Sequence, residues 1–167
     1  MIQIVRAELQ DSVLLKEIAV ASKGHWGYSD HLMTEWAQTP IITAESIAVD
    51  VVFKARTESS VMGWYRLLPH SGTAMLEDLW VLPACMGKGI GRALFEHAAD
   101  QARRFGAQNI ELDADPNAAP FYERMGCRVI GESFSEWGRT IPHMRYDLTI
   151  QAKTDSGEFH DSFPSRP

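Results

Sequence analysis

Glycine takes every second position in Met86-Gly-Lys-Gly-Ile-Gly91, a segment set between the apolar run LEDLWVLP and the amphipathic stretch RALFEHAADQARRF. A chain that crosses from strand to helix over such a segment must make the crossing with backbone rather than side chains. Glycine allows positive φ and lets N–H groups approach a ligand that a Cβ would hold away. The helix after it begins with unpaired N–H groups and the positive end of its macrodipole, so the ligand that suits the segment is an anion.

The hydrophobic periodicity on either side predicts alternating elements. Residues 2–7 read as a strand, and Glu8 to about Ser22 as a helix with Val13, Leu14, Ile18 and Ala21 inward. The aromatic stretch KGHWGYSDHLMTEW reads as a loop and a short helix from Ser29 or Asp30. SIAVDVVFKA, SVMGWYRLL and AMLEDLWV come next as three strands. A helix over 88–105 carries Ile90, Leu94, Ala98, Ala102 and Phe105 as its apolar stripe and ends at Gly106. QNIELDA is a strand, NAAPFYERMG a short helix capped by Asn117 and closed by Gly126, and CRVIGES and HMRYDLTI two final strands. The class is α/β with mixed connections. Residues 1–150 form one domain, and 151–167 a polar tail in which Phe159 and Phe163 are placed to dock on a partner subunit.

With 167 residues, 45% of them hydrophobic, one core can be buried without a disulfide or metal. Cys85 and Cys127 have neither C-x-x-C spacing nor paired histidines, so the chain offers no metal site and suits a reducing, cytoplasmic setting. No run approaches the ~18 apolar residues that a membrane span requires. A net charge of -6 argues against nucleic acid, whose binding depends on Lys and Arg neutralising phosphates. A small phosphate ligand remains compatible, because screening over ~8 Å lets Lys88 and Arg92 prevail locally.

Spacing decides among anion loops. A Walker-type loop needs Ser or Thr after its lysine, where Gly89 stands, and a G-x-G-x-x-G counted from Gly87 ends on Arg92. The combination LEDLWVLPACMGKGIGRALF with ADPNAAPFYERMGCRVIGE instead resembles the GCN5-related N-acetyltransferase (GNAT) family over nearly the whole chain. The resemblance implies a mixed, mostly antiparallel central sheet of about seven strands with about four flanking helices, and acetyl-coenzyme A as the acyl donor. It places the pyrophosphate at Met86, Gly87, Lys88, Gly89, Ile90, Gly91 and Arg92, and the pantetheine arm along Leu79, Trp80 and Val81. Asn117 becomes a further cofactor contact, and Tyr122 the acid that protonates the departing sulfur. Met86 stands where Gln or Arg is usual, which leaves phosphate binding to backbone N–H groups with Lys88 and Arg92. Asn117-Ala-Ala-Pro-Phe-Tyr122 is two residues shorter than the usual signature, and Cys127 replaces a Phe as a packing residue.

Acetyl transfer to an amine requires an unprotonated nucleophile, and for an amine of pKa ~10.4 that state costs about 4.6 kcal/mol at pH 7. Glu77, Asp78 and Asp113 are the candidate bases, with Glu77 favoured; Glu77 and Asp78 point to opposite faces unless a bulge intervenes. His25, Trp26, Tyr28, Asp113 and His143 are the expected acceptor contacts, with Trp36 and Arg145 nearby. Aromatic faces in an acidic surround favour a small-molecule amine or a protein N-terminus as acceptor. A homodimer is compatible with this reading, as are a non-catalytic acyl-coenzyme A sensor and a protein-interaction module.

Overall fold

Period-two alternation in the strands gives the sheet two apolar faces, and amphipathic helices cover both. The computed structural model describes residues 1–148; the expected tail 151–167, with Phe159 and Phe163, lies outside the described residues. In chain order the elements are β1 (Gln3–Arg6), a 3-10 turn (Leu9–Asp11), α1 (Ser12–Gly24), α2 (Asp30–Ala37), α3 (Ala44–Val49), β2 (Val51–Arg56), β3 (Val61–His70) and β4 (Thr73–Val81). A second 3-10 turn (Pro83–Cys85), α4 (Ile90–Arg104), β5 (Asn109–Asp113), α5 (Ala119–Arg124), β6 (Arg128–Phe134) and β7 (Thr140–Asp147) complete them. The strands form one seven-stranded sheet in the order β1-β2-β3-β4-β5-β7-β6. All neighbours are antiparallel except β4 and β5. No helix among the described residues is long and apolar enough to cross a membrane.

Tyr65, Leu67, Leu76 and Val81 face α4, whose Ile90, Leu94, Phe95 and Ala98 are buried with them. Val52 and Trp64 face the other way, against Leu15, Ile18 and Ala19 of α1 and Ile47 of α3. Trp64 is fully buried, and its Nε1 donates to the Leu15 carbonyl at 2.7 Å.

Two expectations are corrected. Residues 46–49, expected as the start of a strand, are helical and belong to α3. Thr43 and Ser46 cap each other's backbone in a capping box, and this local closure overrides the strand preference of the β-branched run. In α1 the buried side carries Leu15, Ile18, Ala19, Ser22 and Lys23, while Val13 and Leu14 are 68% and 40% exposed. The arc that packs on Val52 and Trp64 is Leu15, Ile18 and Ala19, at i, i+3 and i+4, and the 3-10 turn before it is anchored by Asp11 on the Glu8 N–H (2.7 Å) and on Lys54 (2.6 Å).

Gly63 sets the closeness of β3 to β4. A Cβ there would lie 2.6 Å from the Trp80 carbonyl oxygen, 3.1 Å from Leu94 Cδ1 and 3.3 Å from Val81 Cα. Gly63→Ala therefore forces a backbone shift, at a cost of about 1–3 kcal/mol for overpacking. In thermal unfolding this lowers Tm by roughly 3–10 °C for a domain of this size. An unchanged Tm would refute it.

Candidate active site

β4 and β5 run parallel for three residue pairs only, Thr73 with Asn109, Ala74 with Ile110 and Met75 with Glu111. Beyond them β5 continues to pair with β7 as far as Asp113 and His143, whereas the β5-facing edge of β4 has no strand partner among the described residues. The sheet opens there into a cleft of about 630 Å³. Within it β4 carries a bulge: Arg66 pairs with Asp78 and Leu67 with Leu76, so Glu77 has no partner on β3. The extra residue lets Leu76 and then Leu79 and Val81 all pack toward α4.

The glycine segment borders the cleft. Gly87 and Gly89 have φ of +73° and +82°, and Gly89 is the N-cap of α4. The backbone N–H groups of residues 87–92 make no hydrogen bond among the described residues. Gly91 leaves room of a different kind: a Cβ there would lie 3.2 Å from the Phe121 ring of α5, a tight contact. Met86, Gly87, Gly89, Gly91 and Arg92 line the cleft, joined by Arg124 of α5. Lys88 is exposed and Ile90 is buried in the core, and neither side chain lines it.

Of the strand residues expected at the site, Glu77, Leu79, Trp80, Val81 and Asp113 line the cleft. Glu77 is exposed and makes no hydrogen bond or ion pair among the described residues. Asp78 stands outside. Its carboxylate accepts from Arg66 Nε at 2.8 Å and Trp80 Nε1 at 2.9 Å, and burial pushes its pKa up. Tyr122 lies in the wall with its ring packed on Phe121 (5.1 Å) and Phe95 (6.2 Å), while its hydroxyl makes no hydrogen bond among the described residues. Burial raises its pKa well above that of a free phenol, and pushes the neighbouring Cys127 thiol up to about 12. No group of residues that could hold a metal occurs among the described residues.

The expected acceptor residues divide. Trp26 lines the cleft together with Ser22, which the sequence pattern does not single out. His25, exposed, does not line the cleft and meets the edge of Trp26 at 5.2 Å. Tyr28 stands behind the wall and donates to Asp115, with Arg139 donating to its oxygen at 2.9 Å. Asn117 does not cap α5, whose N-cap is Ala118; its Nδ2 donates to Asp115 at 3.0 Å and to Tyr28 at 3.3 Å, and it lines the cleft.

His143 lies between two carboxylates, with Nδ1 2.6 Å from Asp113 and Nε2 3.0 Å from Glu111. Burial alone would lower its pKa, but the two carboxylates outweigh burial and raise it. Glu111 is held below the usual carboxylate range, by Arg145 first and His143 second. A raised imidazole stabilises the fold fully below its unfolded pKa of ~6.5, and that contribution is lost as pH rises through the folded value. The difference in thermal stability between wild type and His143→Asn should thus be largest near pH 6 and shrink toward pH 9. A difference constant across that range would refute the charge pairing.

A profile of the Acetyltransferase (GNAT) family matches residues 14–127. Streptothricin acetyltransferase of Streptomyces lavendulae is 46% identical over 59 residues, which are 34% of this chain and 31% of that protein. The chain thus spans about a third of the length of that curated relative. Among solved structures, PaiA N-acetyltransferase from Thermoplasma acidophilum, in complex with coenzyme A, superimposes with a TM-score of 0.77 at 19% identity. The match covers 88% of this chain and 99% of that one. YncA of Salmonella typhimurium, solved with acetyl-CoA, gives a TM-score of 0.63 at 19% identity over 100% of this chain and 98% of its own. At these identities the structural likeness establishes the fold.

Proposed function

The chain belongs to the acetyltransferase (GNAT) family, and from that premise we propose that it transfers the acetyl group of acetyl-coenzyme A directly to a primary amine. One observation carries the reading: a row of unbonded N–H groups at the start of α4 opens into a cleft that also holds a free carboxylate, Glu77, and an unpaired hydroxyl, Tyr122. The N–H groups of residues 87–92 would hold the diphosphate, with Arg92 and Arg124 supplying positive charge. Of the sequence-expected phosphate contacts, Lys88 and Ile90 then act through their backbone alone. The unpaired edge of β4 suits the amides of the pantetheine arm, and its N–H groups near Leu79, Trp80 and Val81 suit the carbonyl oxygen as it gains charge.

Glu77 takes the amine proton, directly or through water. The nitrogen forms its bond to the acetyl carbon as the carbon–sulfur bond breaks, the Tyr122 hydroxyl delivers a proton to the sulfur, and the second proton that the nitrogen must lose passes through solvent to restore the Tyr122 hydroxyl. Asp78 is a positioning residue in this scheme, since both its oxygens are engaged by Arg66 and Trp80. Asp113 has its Oδ1 engaged by His143 Nδ1 at 2.6 Å, which leaves Glu77 as the unengaged carboxylate of the two. An acyl-coenzyme A sensor or interaction module has no need of a free acid and base in the cleft.

Release of free thiol from acetyl-coenzyme A, measured across a panel of amines, tests the reading. Thiol release that depends on an amine supports it. Absence of any binding heat with coenzyme A at millimolar concentration would remove it.

A further inference from the structure

The carboxylate that acetyl transfer leaves unused holds an aromatic ring of the cleft. Asp78 and Trp80 are two positions apart on β4, paired with Arg66 and Trp64 of β3, and so share one face of the sheet, the face that α1 covers. Arg66 Nε donates to Asp78 Oδ2 at 2.8 Å, and the Trp80 indole Nε1 donates to Asp78 Oδ1 at 2.9 Å. Arg66 is tethered in turn by Nη1 to Asp50 at 3.5 Å. A donor on each oxygen is the set that an ionised carboxylate satisfies, since the acid form would present a proton of its own to one of them. Asp78 is 7% exposed, so the pairing is made out of water. Trp80 itself lines the cleft, and Trp36 packs on it at 5.4 Å with the rings tilted by 57°. Its indole is thus fixed from two directions before any ligand arrives, which spares a ligand the cost of ordering it.

We infer that Trp80 is a specificity-determining residue whose indole receives the acceptor as an ammonium ion, and that Asp78, held by Arg66, positions that ring. The inference rests on the acetyl-transfer reading above and names the charge state in which its acceptor arrives. The backbone of Trp80 then serves the donor and its side chain the acceptor. Tryptophan is the best ring for a cation–π contact, made when the cation lies within about 6 Å of the centroid. A carboxylate on the indole N–H polarises the ring and makes its face more negative. Glu77 precedes Trp80 by three residues on β4, about 10 Å of strand at ~3.3 Å per residue, so an ammonium seated on the ring lies beside the base that deprotonates it. A cation held by the ring is also harder to deprotonate. The platform therefore improves binding of the acceptor and not the chemical step.

The test compares 2-phenylethylamine, charged at pH 7.5, with its near-isostere O-benzylhydroxylamine, uncharged there, by calorimetry on the full chain saturated with coenzyme A. Wild type should bind the charged compound at least about 10-fold more tightly. Glu77, Asp113 and Asp115 in the cleft also favour a cation, so the decisive arm is Trp80→Leu. It should cut the ratio about fivefold or more, with affinity for coenzyme A within about twofold of wild type. Asp78→Asn should cut it about threefold and change nothing further in the Trp80→Leu background, whereas a carboxylate that only stabilised the fold would act alike in both. Trp80→Phe keeps a ring and loses the N–H, and it carries the test if the other variants do not fold; its ratio should fall about twofold or more. Equal binding of the two compounds by wild type, or no detectable binding of either at millimolar concentration, overturns the inference. So does a Trp80→Leu or Trp80→Phe variant that binds coenzyme A normally and keeps the wild-type ratio. Thiol release with an amine panel is scored separately. Release with an unchanged ratio removes the platform alone, and no release with any amine removes the acetyl-transfer reading and Trp80's role as acceptor contact with it.

Discussion

Replacing Glu77 by Gln should lower kcat about 100-fold at neutral pH, with coenzyme A affinity within about twofold of wild type. General acid–base groups contribute roughly 10²–10⁴ in rate, and Glu77 is the cleft carboxylate that no other side chain neutralises among the described residues. Gln keeps the side chain's size and leaves the bulge of β4 undisturbed, so the loss isolates the charge. The deficit should shrink as pH approaches 10, where an amine of pKa ~10.4 is increasingly neutral without help. Steady-state kinetics across pH 7–10 checks both statements. A variant as fast as wild type at pH 7 would move the base elsewhere, with Asp113 the next carboxylate in the cleft.

Tyr122→Phe should reduce kcat about 10-fold or more and leave binding of coenzyme A nearly intact. The ring stays packed on Phe95 and Phe121, so the variant loses a hydroxyl and little else. Burial keeps the phenol protonated at neutral pH, which makes it a poised donor. It also makes the phenol a weaker acid, but a sulfur arriving in the same wall is subject to the same desolvation. Cys127 shows the direction of that effect, since burial pushes its thiol up. The difference between donor and acceptor, rather than either value alone, sets the cost of the transfer. Single-turnover rates separate the chemical step from product release, and an unchanged single-turnover rate would remove Tyr122 from it.

What the sequence reveals here divides by distance along the chain. The glycine segment is legible because positive φ at Gly87 and Gly89 is a local demand that few other residues meet. The same holds for the strand-to-helix crossing and for Tyr122 in the short α5, next to Phe121 and its contact with Gly91. The bulge at Glu77 is not legible, because it is defined by the register of β4 on β3 rather than by either strand alone. Nor is the difference between Glu77 and Asp78, which rests on Arg66 having reached one and not the other. The buried face of α1 is hidden for a related reason: several apolar arcs are available in its sequence, and the one chosen is the arc that meets Val52 and Trp64 of the distant β2 and β3. The ion pair of Lys23 with Glu136 is the extreme case, since the two are 113 residues apart. For α3 the Thr43 and Ser46 signal is present in the sequence but is outweighed by the β-branched run beside it.

Among the described residues three residue pairs alone join β4 to β5, so what holds the two halves of the sheet together beyond Met75 is the shared core, in which Leu76 and Val81 from one half meet Ile110, Leu112 and Met144 from the other beside α4. A molecule lodged in the wedge would therefore enter between strands that the backbone ladder leaves apart and the core keeps in place.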